Sequence, residues 1–264
     1  MRHPLSGLWR HRDLVWQLTK REVLGRYRGA SFGLAWSIIT PFMMLAIYSF
    51  AFGTVMRGRW PGADENTSFP LILFAGLIVH AFFAECLTRA PTLVTSHPNF
   101  VKRVIFPLEL LPWPMVLSAT FHLMMNLVVF CILRYAMDGQ FTPGALWFPV
   151  VMFPLAVLCM GIVWALAALG VYLRDLGQVV GLIATATLFL SSAVTPVQIV
   201  SPNLRWVIEL NPITFIIDQA REVLLWNGSP DWSGLSLYLA VSLVFAWAGW
   251  AWFQFTRKGF ADVI

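Results

Sequence analysis

Three ionisable side chains, His80, Glu85 and His122, lie within long apolar runs of the sequence. An ionisable residue inside a membrane is a candidate for proton or ion movement, so these three are the first residues to consider for chemistry. A proton relay needs several carboxylates at one depth, whereas Glu85 is the one carboxylate of these runs. The pattern argues against ion-coupled transport and leaves two interpretations, helix packing or an intramembrane catalytic centre.

Signatures of nucleotide and metal chemistry are absent from the sequence. It contains no G-x-x-x-x-G-K-[ST] phosphate-binding loop and no H-E-x-x-H metal motif. The five histidines share no metal-ligand spacing, and the three cysteines lie in or beside apolar runs, where buried free thiols are expected. We therefore expect no catalytic residue, no metal and no cofactor in this chain.

Two apolar runs carry polar or aromatic side chains that could face a transported molecule. Helix–helix packing through small residues explains such stripes equally well. The alternative is a pathway for a sugar-like molecule, in which aromatic rings stack on C–H faces and hydroxyls exchange hydrogen bonds. The candidate lining residues are Trp36, Ser37, Thr40, Met44 and Tyr48 in the first run, and Thr187, Ser191 and Thr195 in the fifth.

The composition is that of an integral membrane protein. Of the 264 residues, 58% are hydrophobic and 12% are charged, whereas a soluble domain carries about 25% charged residues. The 13 tryptophans are typical of aromatic belts at the membrane surface. The net charge of +5 could suggest nucleic acid, but the basic residues flank the apolar runs, so membrane topology explains them better.

The hydrophobic pattern predicts an all-α integral membrane fold with six transmembrane helices. Each run approaches or exceeds the ~20 residues that a bilayer requires. The predicted spans are Gly33–Met56, Phe69–Thr88, Leu110–Leu133, Ala145–Leu173, Leu176–Val197 and Leu235–Thr256. The fourth and fifth are separated only by Arg174-Asp175, which predicts a tight turn.

The basic residues predict the orientation of these spans. Most of the 18 Lys and Arg residues lie in the N-terminal arm, the 89–109 loop, the 174–177 turn and the C-terminal tail. Because cytoplasmic loops carry an excess of Lys and Arg, both termini are predicted to be cytoplasmic. Residues 201–228 then lie on the outer face.

The N-terminal arm predicts an amphipathic helix over residues 8–28 that lies along the membrane. Trp9, Trp16, Val23 and Tyr27 recur on one side at helical spacing. Basic side chains between them could bind lipid headgroups. The pattern is imperfect because Arg12 and Lys20 fall on the apolar side.

Residues 201–228 predict two short helices between the fifth and sixth spans. Ser201-Pro202 and Asn211-Pro212 each pair an N-cap residue with a proline at the first helical position. Asn227-Gly228 supplies a stop signal for the second helix. Its predicted apolar face consists of Ile213, Ile216, Ile217, Ala220, Val223 and Leu224, and its predicted charged face of Asp218, Gln219, Arg221 and Glu222.

Two interpretations of this hairpin remain open, a connector lying on the membrane surface or a gate over a pathway. Non-spanning helices at membrane depth are tolerated where they face protein or a water-filled cavity. Under the second interpretation Asp218 and Arg221, three residues apart, form an exposed pair that orders the gate helix. Such a pair is worth only ~0.2–1 kcal/mol, so its removal would change transport and not stability.

The largest cytoplasmic loop, Arg89–Glu109, is short, basic and mixed with apolar residues. It could be a solvated connector or a helix that docks into a cytoplasmic partner.

Four segments resemble a known family when taken together. The stretches Lys20–Gly53, Asn99–Pro112, Tyr172–Gln178 and Leu210–Gly228 are similar, in this order, to ABC-2 type permeases that export polysaccharides such as O-antigen, capsule and teichoic acid. Asn211-Pro212-x-Thr214 with Arg221 downstream is the more specific of these matches. The resemblance implies that residues 1–264 form one ABC-2 type transmembrane domain in the bacterial inner membrane.

The resemblance also implies partners and site residues. It implies a homodimer that encloses a channel lined by the first and fifth spans, and a lipid-linked polysaccharide as the substrate. Two copies of a separate P-loop ATPase subunit would hold ATP and Mg²⁺, and periplasmic or outer-membrane export proteins are further candidate partners. The implied coupling residues are Asn99, Phe100, Lys102, Arg103, Arg174 and Asp175, and the implied gate residues are Asn211, Pro212, Thr214, Asp218 and Arg221.

Three other functions remain open at this point. The first is an intramembrane enzyme acting on lipid-linked sugars, which would need His80, Glu85 and His122 to cluster. The second is an assembly scaffold without transport. The third is an ABC-2 exporter of a lipid or drug that is not a glycan.

Overall fold

The computed structural model describes residues 4–51, 60, 67–101, 107–140 and 142–263. Within those ranges the regular structure is helical and no strand occurs. The helices are α1 Pro4–Arg10, α2 Arg12–Arg26, α3 Trp36–Tyr48, α4 Phe69–Arg89, α5 Pro98–Val101, α6 Pro112–Asp138, α7 Phe148–Tyr172, α8 Leu176–Phe189, α9 Arg205–Glu209, α10 Thr214–Leu225, α11 Trp232–Thr256 and α12 Phe260–Val263.

Five helical stretches in the described residues are long and apolar enough to cross a membrane. They are Gly33–Ala51, Phe69–Thr92, Leu108–Asp138, Pro143–Tyr172 and Trp232–Gly259. They confirm five of the six predicted spans and the all-α fold. The predicted end of the first span, Met56, lies outside the described residues.

The fifth predicted span, Leu176–Val197, is wrong in its last third because α8 ends at Phe189. At ~1.5 Å per residue, its 14 residues extend ~21 Å, less than the ~30 Å hydrocarbon core. Residues 190–195 form turns instead. Pro196 disfavours helical geometry at the residue before it, Thr195. The hydroxyls of Ser191 and Ser192 can bond main-chain groups in place of the helical hydrogen bonds.

The bundle has two ends, which we call basal and distal. At the basal end the Tyr172 hydroxyl donates to the carbonyl of Thr256 (3.0 Å), and the ring of Phe260 in α12 packs on Tyr172. At the distal end the Ser68 hydroxyl donates to Asp138 (2.6 Å). α4 runs from the distal to the basal end, α6 returns to the distal end, and α7 and α11 run parallel to each other from the distal to the basal end. The turn at Leu108–Leu110, just before α6, contacts α1, and α7 contacts α12, so both terminal helices lie at the basal end.

Glycines hold α7 and α11 in direct backbone contact. A Cβ added at Gly249 would lie 2.1 Å from the carbonyl oxygen of Gly161. Only residues without a side chain allow two helices to approach so closely. The two helices are therefore packed backbone to backbone at this point.

Asp231 begins α11 as an N-cap. Its carboxylate accepts hydrogen bonds from the Ser233 main-chain N–H (3.1 Å) and the Gly234 N–H (3.0 Å). The hydrogen bond from the Ser233 hydroxyl (2.6 Å) is the largest of the effects that lower the pKa of Asp231. The cap fixes where the last span starts at the distal end.

The predicted interfacial helix over residues 8–28 forms α1 and α2, but its buried side differs from the predicted one. Val15, Thr19 and Val23 of α2 are buried, and α2 packs against α6. Trp9 and Trp16 are exposed by 73% and 68%. The predicted apolar side is therefore divided, since Val23 faces the protein while the two tryptophans face outward.

Candidate functional site

The second predicted hairpin helix is inserted into the bundle, where α10 packs against α4 and α7. All six residues of its predicted apolar face are fully buried, which confirms that face. The helix begins at Thr214, two residues after the predicted proline, because the Asn211 side chain accepts a hydrogen bond from the Ile213 N–H in the preceding turn. It ends at Leu225, followed by Asn227 at φ 52°.

Arg221 is the main departure from the predicted charged face. Its side chain is 2% exposed, and its Nε donates to the carbonyl of Ile72 in α4 (3.1 Å). One terminal nitrogen donates to the carbonyl of Ala193 (3.0 Å). The guanidinium also lies over the ring of Trp60, 4.2 Å from its centroid.

The predicted exposed pair of Asp218 and Arg221 is therefore wrong. Asp218 is half exposed and its carboxylate lies 3.6 Å from the buried guanidinium. The buried arc of α10 is wider than predicted, because Thr214 and Leu225 are buried on the same flank as Arg221. Removing Arg221 would leave the main-chain carbonyl of Ala193 without this donor, so stability should respond.

Asn211 caps the end of α8. Its side-chain amide donates to the carbonyls of Thr187 (3.1 Å) and Leu190 (2.9 Å). The last carbonyls of a helix have no partner within the helix and are costly to leave unpaired at membrane depth. The short fifth helix and the inserted α10 are thus one unit, joined by the predicted gate residue Asn211. Another predicted gate residue, Pro212, accepts the hydroxyl hydrogen bond of Tyr238 on its carbonyl (2.6 Å).

The structure splits the stripe predicted on the first span. Ser37 faces the protein and donates to the carbonyl of Leu34 (2.7 Å). Thr40 and Met44 are exposed, while Trp36 and Tyr48 are partly buried. The exposed flank of this span is apolar and carries Phe32, Ile38, Phe42, Met43, Ile47 and Phe50.

The stripe predicted on the fifth span does not exist as one helical face. Thr187 lies on α8 and donates to the carbonyl of Ala184 (2.8 Å). Ser191 is fully buried in the following turn, where it donates to the carbonyl of Leu188 (3.0 Å). Thr195 lies in the turn region, beyond the end of the helix. Because the helix ends at Phe189, the i, i+4, i+8 spacing does not bring these three side chains into line.

The predicted coupling segments meet at the basal end. A short 3₁₀ turn at Ala90–Thr92 packs on α7 so closely that a Cβ added at Gly170 would lie 2.0 Å from the carbonyl oxygen of Pro91. Beside this contact is a cleft of about 360 Å³. It is lined by Pro91, Thr92, Thr95, Gly170, Val171, Leu173, Arg174 and Val263.

The individual coupling residues have different surroundings. Arg174 and Asp175 are exposed in the predicted tight turn. Asn99 is exposed on α5, and the ring of Phe100 stacks on that of His97 with centroids 5.6 Å apart. Lys102 and Arg103 lie outside the described residues.

Glu85 and His122 meet in an ionic cluster, whereas His80 lies elsewhere. Glu85 accepts from Arg26 (2.6 Å) and Arg89 (2.9 Å), and His122 Nδ1 is 3.2 Å from its carboxylate. Arg89 also pairs with Glu22 of α2. The cluster joins α2, α4 and α6 directly above the turn at Ala90–Thr92. His80 instead donates to the carbonyl of Ala184 (2.9 Å).

Sequence reasoning missed most of this cluster and a second one at the distal end. Arg134 and Asp138 form a buried ion pair whose arginine also donates to the carbonyl of Leu225 (3.1 Å). The available signal was spacing, because Glu85–Arg89 and Arg134–Asp138 are both four residues apart on one helix. Arg26 and Glu22 gave no comparable signal, since their partners are far away in the sequence.

A match to G-x-S-x-G, which the sequence analysis did not identify, occurs at Gly29–Gly33. In hydrolases this motif places a serine on a sharp turn from a strand to a helix. Here α2 precedes the motif and a 3₁₀ turn follows it. In the part of the chain that the structure describes, no group of three His, Cys, Asp or Glu side chains could hold a metal.

A family model described as ABC-2 type transporter matches residues 13–225. The chain belongs to the ABC-2 type transporter family. It is a multi-pass membrane protein, as the five apolar helices indicate. The matched region contains α8, the inserted α10 and both segments at the basal cleft.

Several relatives carry the name O-antigen export system permease protein RfbA. One from Myxococcus xanthus is 26% identical over 259 residues, which cover 97% of each chain. One from Klebsiella pneumoniae is 23% identical over 265 residues, covering 100% of this chain and 98% of the relative. A second Klebsiella pneumoniae relative is 21% identical over 267 residues.

Proposed function

We propose that this ABC-2 permease is the membrane subunit of an exporter that moves a lipid-linked polysaccharide from the cytoplasm to the outer side of the bacterial inner membrane. The observation that carries the proposal is the similarity to O-antigen export permeases over nearly the whole length of both chains. Both termini are cytoplasmic in this account, and the distal end faces outward.

The energy for transport comes from two copies of a separate P-loop ATPase that dock at the basal end. The cleft of about 360 Å³ supports this docking site, because it brings the start of the 89–109 loop next to the turn at Arg174. The tight contact of Gly170 with Pro91 means that a push on this loop reaches α7 directly. The pair of α7 and α11 then moves as one body.

Two copies of the chain enclose the channel. The support is α3, whose flank exposes large apolar side chains such as Phe42 and Phe50. Next to this flank, Thr40 and Met44 are also exposed. They remain candidates for lining the pathway, together with Trp36 and Tyr48. Ser37 and Ser191 are engaged with the main chain of their own protomer and contribute to packing.

A deletion experiment in the organism of origin tests the proposal. Without this chain the polymer should accumulate inside the cell and disappear from the surface, because synthesis continues while export stops. Surface glycan is measured with a labelled lectin or antibody and internal glycan by extraction. A plasmid copy should restore the surface signal. An unchanged amount of surface glycan after deletion would contradict the proposed substrate class.

A further inference from the structure

We propose that Arg221 is the positioning residue of the distal gate, a latch that holds the broken fifth span closed and is released when its two carbonyl bonds break and Asp218 remains as its partner. This inference rests on the proposed function, since a closed distal end matters only in a transporter. It concerns one side chain that joins segments far apart in the sequence.

The latch connects three parts of the molecule. Arg221 lies on α10, Ile72 near the start of α4, and Ala193 in the turn that follows α8. Trp60, from the segment between α3 and α4, covers the guanidinium with its ring. Besides its ion pair with Asp218 (3.6 Å), this buried cation bonds neutral carbonyls and an aromatic face, which is unusual at membrane depth.

The two carbonyl partners are not equivalent. Ile72 lies inside α4, where its carbonyl also accepts the helical hydrogen bond, so the bond from Arg221 is additional. Ala193 lies in an unwound turn beyond the end of α8. In the described residues its carbonyl accepts from Arg221. Without this donor, water must enter the turn to satisfy the carbonyl. Loss of the latch therefore opens the turn to water.

The guanidinium is wedged into a narrow space. A Cβ added at Gly76 would lie 2.7 Å from the terminal nitrogen of Arg221 and 2.9 Å from Cα of Ala193. A glycine is thus required on α4 for the latch to close. Any larger residue there would displace the guanidinium without removing its charge.

Asp218 provides the remaining partner. Its carboxylate lies 3.6 Å from the guanidinium and its side chain is half exposed. A small movement of α10 would break both carbonyl bonds and leave the ion pair with Asp218 to hold the guanidinium. The unit then has two arrangements, a closed one in which Arg221 bonds both the carbonyls and Asp218, and an open one in which it bonds Asp218 alone. A bistable contact of this kind is what a gate requires.

Labelling of a cysteine at position 191 tests the latch. Ser191 is fully buried in the turn beside Ala193, so Ser191→Cys reports opening. The full chain is kept in membranes and treated from the outside with a membrane-impermeant maleimide. The parent chain without Ser191→Cys measures the background from Cys86, Cys131 and Cys159.

Arg221→Met should raise the labelling rate at position 191 at least about tenfold, the change expected from losing one hydrogen bond to a charged group. Methionine keeps the apolar stem, so packing is retained. Arg205→Met is the matched control, because Arg205 also donates to two carbonyls, those of Val200 (3.1 Å) and Gln198 (3.4 Å). Both lie within its own segment, so labelling should not change.

Asp218→Asn should have the opposite effect. It removes the open arrangement, so labelling during ATP-driven turnover should stay at the resting rate while the parent shows an increase. A purely structural role for Arg221 does not predict that Arg221→Met raises labelling at rest while Asp218→Asn suppresses the increase during turnover.

Unchanged labelling in a folded Arg221→Met chain would overturn the latch, and so would an equal increase in Arg205→Met. If Arg221→Met does not accumulate in the membrane, the labelling rate at position 191 is measured in Gly76→Ala instead. The same increase is expected, and unchanged labelling would again overturn the latch. The resting labelling needs no glycan. A failed latch therefore leaves the proposed function untouched, and a failed glycan assignment leaves the labelling result readable.

Discussion

At the scale of residues, the sequence predicted which side chains of α10 are apolar but not how its arginine is used. A helical wheel places Arg221 just beyond the apolar arc, and periodicity alone assigns such a residue to the exposed face. Thr214 and Leu225, on the same flank, are buried with it. Arg221 donates to main-chain carbonyls of α4 and of the turn after α8. Because every residue has a main-chain carbonyl, residue types alone cannot identify these partners.

Glu85 offers a prediction at this scale. Glu85→Gln should lower the stability of the purified protein by about 1–3 kcal/mol, because its carboxylate accepts from two arginines and faces His122. The measurement is the thermal unfolding midpoint in detergent.

The control for this prediction is Glu109→Gln. Glu109 pairs with one arginine, Arg257, whose side chain is 40% exposed, so the loss should be below about 1 kcal/mol. Equal losses in the two variants would show that the cluster at Glu85 does not hold α2, α4 and α6 together.

At the scale of elements, hydropathy predicted five spans correctly because each is a continuous apolar helix. It failed at α8, because residues 190–196 carry no charged side chain and follow an apolar helix without a break in the sequence, although they form turns. Thr195-Pro196 was the available signal for an early end. The capping of α8 by Asn211 was not predictable, since it depends on α10 returning into the bundle.

The contact of α7 with α11 gives a prediction for elements. Gly249→Leu should separate the two helices, because even a Cβ at this position would collide with the carbonyl of Gly161. Folded protein in the membrane should fall severalfold, measured by detergent-solubilised size exclusion.

Gly181→Leu is the matched control for this variant. Nothing lies within 4 Å of a Cβ added at Gly181 of α8, so the yield of folded protein should change little. An equally large loss in both variants would mean that the yield of folded protein falls for a reason other than the contact between α7 and α11.

At the scale of the whole molecule, the chain has two features that support the proposed assembly. The flank of α3 exposes large apolar side chains, and the basal cleft brings together the segments predicted to meet an ATPase. The sequence predicted these segments through family resemblance, and in the fold they lie together, since Gly170 and Pro91 are in contact. The copy number and the transported polymer depend on partners outside the chain.

The most direct test of the account is the composition of the complex purified from membranes of the native organism through a tag on this chain. Native mass spectrometry in a mild detergent measures it. We predict two copies of the chain together with two copies of a P-loop ATPase. Arg174→Glu, at the edge of the basal cleft, should reduce ATPase recovery severalfold, whereas Lys258→Glu, exposed outside the cleft lining, should not. A monomeric chain recovered without any ATPase would contradict the central claim.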